Sequence, residues 1–304
     1  CGTLGAAVSA SLLYGLDATK IAHAIGIAAS MGAGVIEANR TGGSVKRIHC
    51  GWAAHSGIIA SSMAREGITG PPTIFEGRFG FFNAYLDGNY DQHALLDELG
   101  TRWELLRTAY KPYPTNHFTH PGIDAALALR ADGLTADDIE EIELGVAASV
   151  IRTIGEPLEE KQRPRTGYHA KFSGPYTIAA ALIGGGGLGL YLEDFADGVW
   201  DSPDRLKLAC KVKVVADERA TEIFPNAFAA VLRVRTKSGA RLVKRVDASR
   251  GSTAAPLSRE EILVKFRLNA SRLLPPRDVE DLVNVSELKT SGDLATFFRL
   301  IHQG

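Results

Sequence analysis

Two separate cationic clusters are the parts of this sequence best suited to chemistry. The first, Lys46-Arg47-Ile48-His49, follows Gly42-Gly43-Ser44 and stands where a helix is predicted to begin. A lysine at a helix N-terminus opposes the helix dipole, so it needs a compensating partner. A bound carboxylate would provide one, because free main-chain amides, dipole and ammonium group would all face it. The alternatives are a solvated lysine–arginine pair and, for His49, a buried hydrogen-bonded histidine.

The second cluster is the run Lys111-Pro112-Tyr113-Pro114-Thr115-Asn116-His117-Phe118-Thr119-His120. Each proline biases the preceding residue toward extended conformations, which predicts a rigid polar segment. Lys111 offers a cation, while His117 and His120 offer groups for acid–base catalysis. The alternative is a structural linker with surface histidines. A third polar set, residues 165–173, would also suit a cleft.

The sequence has no recognisable metal or nucleotide motif. Its eight histidines include no HxH or HExxH pattern, and Pro121 interrupts the helix that would align His117 with His120. The glycine run 184–187 lacks the GxGxxG spacing and is predicted to be a turn after a helix. We therefore expect neither a metal nor a cofactor.

Composition narrows the class of protein further. The 304 residues are 45% hydrophobic and 23% charged with a formal net charge of −1, which is typical of a globular protein and gives no electrostatic basis for binding nucleic acid or an acidic membrane. The three cysteines are far apart and predict neither disulfides nor a zinc cluster, as in a reducing cytoplasm. No signal peptide or membrane-spanning apolar run is present. Because the pattern from Leu4 to Leu16 already resembles the middle of a packed protein, we expect a preceding segment to be missing.

The first part of the chain is predicted to be helical throughout. Residues 3–34 form a helical hairpin with Asp17 as an N-cap, and a helix over 46–66 ends before Gly67. Its predicted buried side comprises Trp52, Ala53, Ser56, Ile59, Ala60 and Met63. A further amphipathic helical region spans 91–110, interrupted at Gly100, and no strand is expected before residue 138.

Strands and helices then alternate. Alternating Ile142, Leu144 and Val146 predict a strand over 139–147, and a helix follows over 171–183. A strand over 211–216 and a hairpin over 227–246 complete the β-structure. Ser258 and Glu261 then have the spacing of a capping box, which begins the C-terminal helices.

These patterns predict a mainly α protein with an α+β part. We divide it into a helical domain (1–108), an α+β lid domain (109–252) and C-terminal helices (253–304) that pack back on the helical domain. The N-terminal helical portion of the first domain is expected to be missing.

Several motifs, in order along nearly the whole chain, resemble the MmgE/PrpD family. The first comprises the run from Lys46 to Gly57 and the later runs 66–72 and 75–80; the second is Lys111-Pro112-Tyr113-Pro114 with Thr119-His120; the third is Ala170 to Tyr176; the tail is Pro256-Leu257-Ser258 with Lys265-Phe266. The resemblance implies an all-helical domain, a smaller α+β lid, a homodimer, no metal, and a carboxylate site between the two domains.

The resemblance also assigns roles to residues. It implies Lys46 and Lys111 as a clamp for two carboxylates, with His117 as the acid–base group. Ser44, His49, Asn116 and His120 are expected to bind substrate. In decarboxylase-like members a histidine follows the second lysine by five positions; here that position is Asn116, with His117 next to it. The family's N-terminal portion also carries an Asp and a His of the site, which this chain lacks.

The expected function is that of a lyase, a dehydratase acting on a hydroxy di- or tricarboxylate such as 2-methylcitrate. Ammonium groups beside a carboxylate stabilise the charge that builds on the adjacent carbon when a proton leaves, so the same clamp serves epimerisation, isomerisation or decarboxylation. These reactions are the alternatives, together with a catalytically incomplete fragment and a non-catalytic polyanion-binding or assembly protein. We expect a small-molecule carboxylate and a second copy as partners, no nucleic acid or membrane, and a cytoplasmic location.

Overall fold

A computed structural model describes residues 1–35, 37 and 44–302 of the chain. Gly42 and Gly43, which precede the first cationic cluster, lie outside these residues. The chain divides into two compact units, Cys1–Trp103 and Glu104–Gly304. In the described ranges, no helix has the length and apolar character needed to cross a bilayer.

The first unit is helical, as predicted. Asp17 accepts a hydrogen bond from the Lys20 N–H and caps the second helix of the hairpin, and Gly67, with φ of 97°, ends the third helix. The α-helices of this unit are α1 (Gly2–Leu13), α2 (Ala18–Ser30), α3 (His49–Arg65), α4 (Phe81–Leu86) and α5 (Gln92–Leu96); a 3-10 turn (Ser44–Ile48) precedes α3.

Small residues let α1 and α3 approach closely. A Cβ atom on Gly57 would lie only 2.5 Å from the Cβ of Ala6. Deeper in the same contact, the Ser11 hydroxyl donates to Ser61 Oγ at 3.0 Å, and Ser61 donates to the Ala7 carbonyl at 2.8 Å. The core cluster of this unit consists of Ala7, Ala28 and Ala60.

Two predictions for this unit are wrong in part. Trp52 and Met63 are 51% and 37% exposed, because the close approach of α1 admits only small side chains on α3. Of the region 91–110, only α5 and a 3-10 turn (Glu104–Arg107) are helical, and Gly100 interrupts it as predicted. Its apolar residues are exposed since no described element covers them: Leu95, Leu96, Leu99, Trp103 and Leu106.

The second unit contains a four-stranded mixed sheet with the order β2-β1-β3-β4. Strand β1 pairs in parallel with β2 and antiparallel with β3, and the predicted hairpin is β3–β4. The strands are β1 (Ile139–Val146), β2 (Val212–Ala216), β3 (Ala230–Thr236) and β4 (Arg241–Val246). No strand precedes β1 among the described residues, so the mainly α class with an α+β part is confirmed.

The helix predicted over 171–183 and the C-terminal helices are present, together with further helices between the strands. The helix expected over 171–183 begins at Gly174, because the Ser173 side chain accepts from the Tyr176 N–H as an N-cap. The α-helices are α6 (His120–Ala131), α7 (Ile151–Ile154), α8 (Leu158–Gln162), α9 (Gly167–Ala170), α10 (Gly174–Ile183), α11 (Pro203–Ala209), α12 (Glu218–Ile223), α13 (Arg259–Ala270), α14 (Pro276–Asn284) and α15 (Ser291–Ile301); 3-10 turns span His117–Thr119, Ala136–Asp138, Ala148–Val150 and Leu192–Phe195.

The two faces of the sheet differ in character. Helices α6 and α10 cover one face, where Cβ atoms on Gly122 and Gly174 would lie 2.9 and 3.1 Å from the side chain of Leu144. The opposite face carries cross-strand ion pairs, Arg233–Glu143 and Arg235–Glu141. Alternation along β1 and β3 thus gives one packed and one charged face.

The C-terminal helices begin as predicted, since Ser258 and Glu261 form a capping box. Helix α13 contacts the rest of the second unit through Lys265, which donates to the Lys111 carbonyl, and through the nearby Arg272–Glu193 ion pair. Packing of these helices against the first unit stays a prediction.

Candidate active site

The segment carrying the second cationic cluster is held firmly in the second unit. The Tyr110 N–H donates to the Gly251 carbonyl at 2.8 Å. Gly251 has φ of 91°, and a Cβ there would lie 1.8 Å from the Tyr110 oxygen, so only glycine allows this approach. Pro112 and Tyr113 are buried. The segment is therefore an ordered part of the unit and not a solvated linker.

His120 lies at the centre of this segment. It is 0% exposed, its ring packs edge-on against Tyr113 at 5.2 Å, and neither ring nitrogen has a hydrogen-bond partner among the described residues. Burial, followed by the charges of His117 and Lys111, holds the pKa of His120 well below its ordinary value of 6.5, although the nearby Thr115 main chain opposes the shift. The imidazole is therefore neutral near pH 7.

His117 lies against His120, with ring centroids 4.9 Å apart. The expectation that Pro121 would separate them is wrong, because Pro121 occupies the first turn of α6, where a missing N–H costs nothing. The His117 Nε2 is 3.4 Å from the Ser249 hydroxyl, and its ring packs edge-on against Phe228. Burial and the charge of Lys111 lower the pKa of His117.

Lys111 places its charge beside these rings. Its side chain is exposed, and its Nζ is 3.5 Å from the Thr115 carbonyl oxygen. Since this charge acts on both histidines, Lys111 and the histidine pair form one electrostatic group. A carboxylate bound by Lys111 would lie near two neutral imidazoles.

Asn116 joins the second motif to the third. Its side-chain oxygen accepts from the Phe118 N–H at 3.0 Å and so caps a short 3-10 turn. Its own N–H donates to the Lys171 carbonyl at 2.8 Å. The structure thus gives Asn116 a supporting role in the loop; substrate binding by it stays a prediction.

The third polar set, residues 165–173, has His169 and Ser173 buried and Arg165 and Thr166 exposed, and the buried Lys161 precedes it. Lys161 is only 2% exposed and donates to the Phe172 carbonyl at 3.0 Å, while burial lowers its pKa to about 8. His169 is also buried, and burial followed by the charge of Lys161 lowers its pKa. These groups support the loop that Asn116 contacts.

The first cationic cluster lies in the first unit. The predicted helix over 46–66 becomes α-helical only at His49, so Lys46 and Ser44 belong to the preceding 3-10 turn and are exposed. Among the described residues, Lys46 forms no hydrogen bond or ion pair. The ring of His49 lies beside Gly34, with Cγ 3.6 Å from where a Cβ would stand. Because Lys46 and Lys111 belong to different units, their pairing as a clamp stays a prediction.

One cavity lies away from the three motifs, and a smaller one borders the second motif. A cavity of about 900 Å³ is lined by Arg130, Lys207 and other residues outside the three motifs. A smaller one of about 140 Å³ lies beside Pro112, Pro114 and Lys265. The candidate site is therefore defined by the polar groups Lys111, His117 and His120, because cavity volume alone does not indicate catalysis. Among the described residues, no three metal-binding side chains are grouped.

Three residues near the histidine pair were not predicted as site residues. Ser249 and Phe228 contact His117, and Lys265 contacts Lys111. Lys265 had a signal in the Lys265-Phe266 pair of the tail motif, whereas nothing in the sequence marks Ser249 or Phe228.

Comparison with known protein families identifies both parts of the chain. Residues 1–93 match the MmgE/PrpD N-terminal domain, and residues 113–288 match the MmgE/PrpD C-terminal domain. The chain belongs to the MmgE/PrpD family. The histidine pair and Lys111 thus lie at the junction where its C-terminal domain begins.

Curated relatives of this family member are cis-aconitate decarboxylases. The human protein is 30% identical over 98% of the chain and the mouse protein 29% over 99%, covering 61% and 60% of those proteins. The Aspergillus terreus protein is 24% identical over 93% of the chain. The chain spans about three fifths of the length of these relatives.

Proposed function

We propose that this protein is a lyase that removes CO₂ from an unsaturated tricarboxylate of the cis-aconitate class. The observation that carries the proposal is the grouping of Lys111 with His117 and His120, two imidazoles whose pKa values are lowered. The decarboxylase activity of the relatives supports it. It replaces dehydration of 2-methylcitrate as the first candidate, since the curated relatives described above are cis-aconitate decarboxylases.

The chemistry needs a cation and a proton carrier. One carbon–carboxylate bond breaks and releases CO₂, and its electron pair shifts through the double bond to a neighbouring carbon, which takes up one proton. Lys111 and Lys46 would bind the remaining carboxylates and stabilise the negative charge that develops on the neighbouring carbon. His117 is neutral near pH 7, so it would first take a proton from solvent. The resulting imidazolium is a stronger acid than usual because its pKa is lowered, and it would deliver that proton to the carbon readily.

Dehydration of a hydroxy polycarboxylate is the second candidate. The observation that favours it is Asn116 at the position where decarboxylase-like members carry a histidine. In that reaction the same groups would act in the opposite sense. Neutral His117 would accept a proton from carbon, and the β-hydroxyl would leave as water. Epimerisation would use the same proton removal with return to the other face.

The experiment offers the chain cis-aconitate, 2-methylcitrate, citrate and iminodisuccinate in D₂O and follows products by proton NMR. We expect CO₂ loss from cis-aconitate with one deuterium in the product. Lys46→Ala, Lys111→Ala and His117→Ala should each lower kcat/KM by roughly 100-fold or more with the fold retained. Lys207→Ala, an exposed lysine outside the motifs, is the control.

Other outcomes separate the alternatives. Full activity in either lysine variant would refute the proposal that Lys46 and Lys111 together bind the carboxylates. An alkene formed from 2-methylcitrate, with no CO₂ released, would favour dehydration, and deuterium entering an otherwise unchanged substrate would favour epimerisation. If the chain turned over none of these substrates, two alternatives would remain: a polyanion-binding protein or a catalytically incomplete fragment.

We also propose a homodimer in the cytoplasm. The apolar side chains exposed between Phe79 and Tyr110 support an assembly surface, and the three unpaired cysteines suit a reducing compartment. Analytical ultracentrifugation tests the first part, and a monomer at micromolar concentration would refute it. Fractionation of cells that produce the protein tests the second.

A further inference from the structure

Helix α13 brings a further cation to the site. The Lys265 Nζ donates to the main-chain carbonyl oxygen of Lys111 at 2.5 Å, a contact between residues 154 positions apart. Among the described residues, Lys265 forms no ion pair. Its ammonium group is therefore satisfied by a neutral carbonyl, which leaves its positive charge without a neutralising carboxylate.

The charge of Lys265 also reaches His120. The groups that disfavour a proton on His120 are His117 and Lys111 in its own segment and Lys265 on α13. Burial lowers the pKa of Lys265 itself. The side chain borders the cavity of about 140 Å³ formed with Pro112 and Pro114. One residue thus contacts the main chain of the site's lysine and acts on its buried imidazole.

We propose that Lys265 is a positioning residue of this site, which anchors the main chain of Lys111 and so directs its ammonium group. The inference rests on the proposed function, because it names no separate activity. A purely structural contact between α13 and the segment is the competing explanation. That contact would affect stability without altering the KM for the substrate.

The test compares Lys265→Met and Lys265→Arg in the complete chain, with Lys207→Met as the matched control. Methionine keeps the length of the side chain and removes the hydrogen bond and the charge. We expect KM for cis-aconitate to rise about tenfold, the usual effect of losing a charged hydrogen bond. Arginine should restore most of the affinity, because its guanidinium can donate to the same carbonyl and the adjacent cavity has room for it.

Histidine NMR titration provides a second readout. Removing the positive charge of Lys265 makes a proton on His120 less unfavourable, so the pKa of His120 should rise in Lys265→Met. The acid limb of the rate profile should then move to higher pH. Lys265→Arg, which keeps the charge, should titrate like the wild type.

Two results would overturn the inference: Lys265→Met with unchanged KM and unchanged histidine titration, or Lys265→Arg as defective as Lys265→Met. A wild-type chain that turns over no polycarboxylate would instead defeat the proposed function. In that case the titration of His120 still decides whether Lys265 acts on the site.

Discussion

His120 combines full burial with two ring nitrogens that lack hydrogen-bond partners among the described residues. Leaving a buried polar group unsatisfied costs about 1–3 kcal/mol. Because a protonated ring would cost more, the fold holds this imidazole neutral. Stability is therefore lower than an apolar core of the same shape would allow.

This burial makes stability depend on pH. The pKa of His120 is lowered in the folded state, so between that value and about 6.5 the unfolded state binds more protons. The free energy of unfolding should therefore fall as pH falls below about 6.5. Between pH 7 and pH 5, the free energy of unfolding should fall in both proteins. The fall should be smaller in His120→Phe than in the wild type, by on the order of 1 kcal/mol. Urea denaturation at each pH measures this.

His55→Phe is the matched control, because His55 is exposed and already stacks on Trp52. Comparing the two variants separates the loss of a buried imidazole from the effect of the substitution itself. Some slope should remain in His120→Phe, since burial also lowers the pKa values of His117 and His169. Parallel curves for the wild type and His120→Phe would show that His120 does not carry the effect.

For individual residues, the sequence shows which residue types are suited to a site, but it does not show which residues contact one another. Lys111, His117 and His120 are visible in the sequence as polar residues in a segment stiffened by prolines. The contacts that Ser249 and Lys265 make with this segment are not visible, because each reaches it from more than a hundred residues away. Burial of His120 was also unforeseen, since nothing local distinguishes it from a surface histidine.

At the scale of elements, close packing of α1 on α3 is testable with a pair of glycines on one helix. A Cβ on Gly57 would lie 2.5–2.8 Å from three atoms of Ala6 and Ala7. Gly57→Ala should therefore force the helices apart and destabilise the protein by about 1–3 kcal/mol. Thermal and urea unfolding, followed by circular dichroism, measure the change.

Gly51→Ala, on the same helix, is the control, since a Cβ on Gly51 would meet nothing within 4 Å. Alanine is the better helix former, so this variant should be stabilised by about 0.5–1 kcal/mol. If the two substitutions changed stability equally, the contact between α1 and α3 would not be as close as described.

Element ends were predictable where capping residues stand beside them. Asp17, and Ser258 with Glu261, start their helices as expected, because a side-chain oxygen near free N–H groups acts locally. The apolar spacing of Leu95, Leu99 and Leu106 failed to predict burial. A periodic pattern describes one face of an element and does not supply the surface that covers it.

For the whole molecule, the two units have cores of very different size. The first has a small cluster of three buried alanines, Ala7, Ala28 and Ala60, with Leu4, Ile27 and Met31 packed against it. The second has a continuous core of leucine, isoleucine, valine and aromatic side chains around the sheet. Burial of large apolar side chains stabilises far more than burial of alanine. The overall α and α+β division was predictable from periodicity, but this imbalance was not.

The imbalance predicts how separate fragments behave. A fragment 104–304 should unfold cooperatively in urea, whereas a fragment 1–103 should show helical circular dichroism with a broad, weakly cooperative transition. Mixing the two fragments is a further measurement, in which a sharpened transition would show that the first unit gains stability from the second. A cooperative transition for 1–103 alone would contradict the prediction.

The contact between Lys265 and Lys111 has a consequence for the newborn chain. Ribosomes add about 5–20 residues per second, so the 154 residues between the two lysines take roughly 8–30 s to make. Until α13 has been synthesised, the Lys111 carbonyl lacks the ammonium group that holds it. The Tyr110 N–H likewise waits for Gly251. The lysine and the histidine pair therefore exist in the growing chain well before their final arrangement does, and a prematurely ended chain would carry these groups without that arrangement.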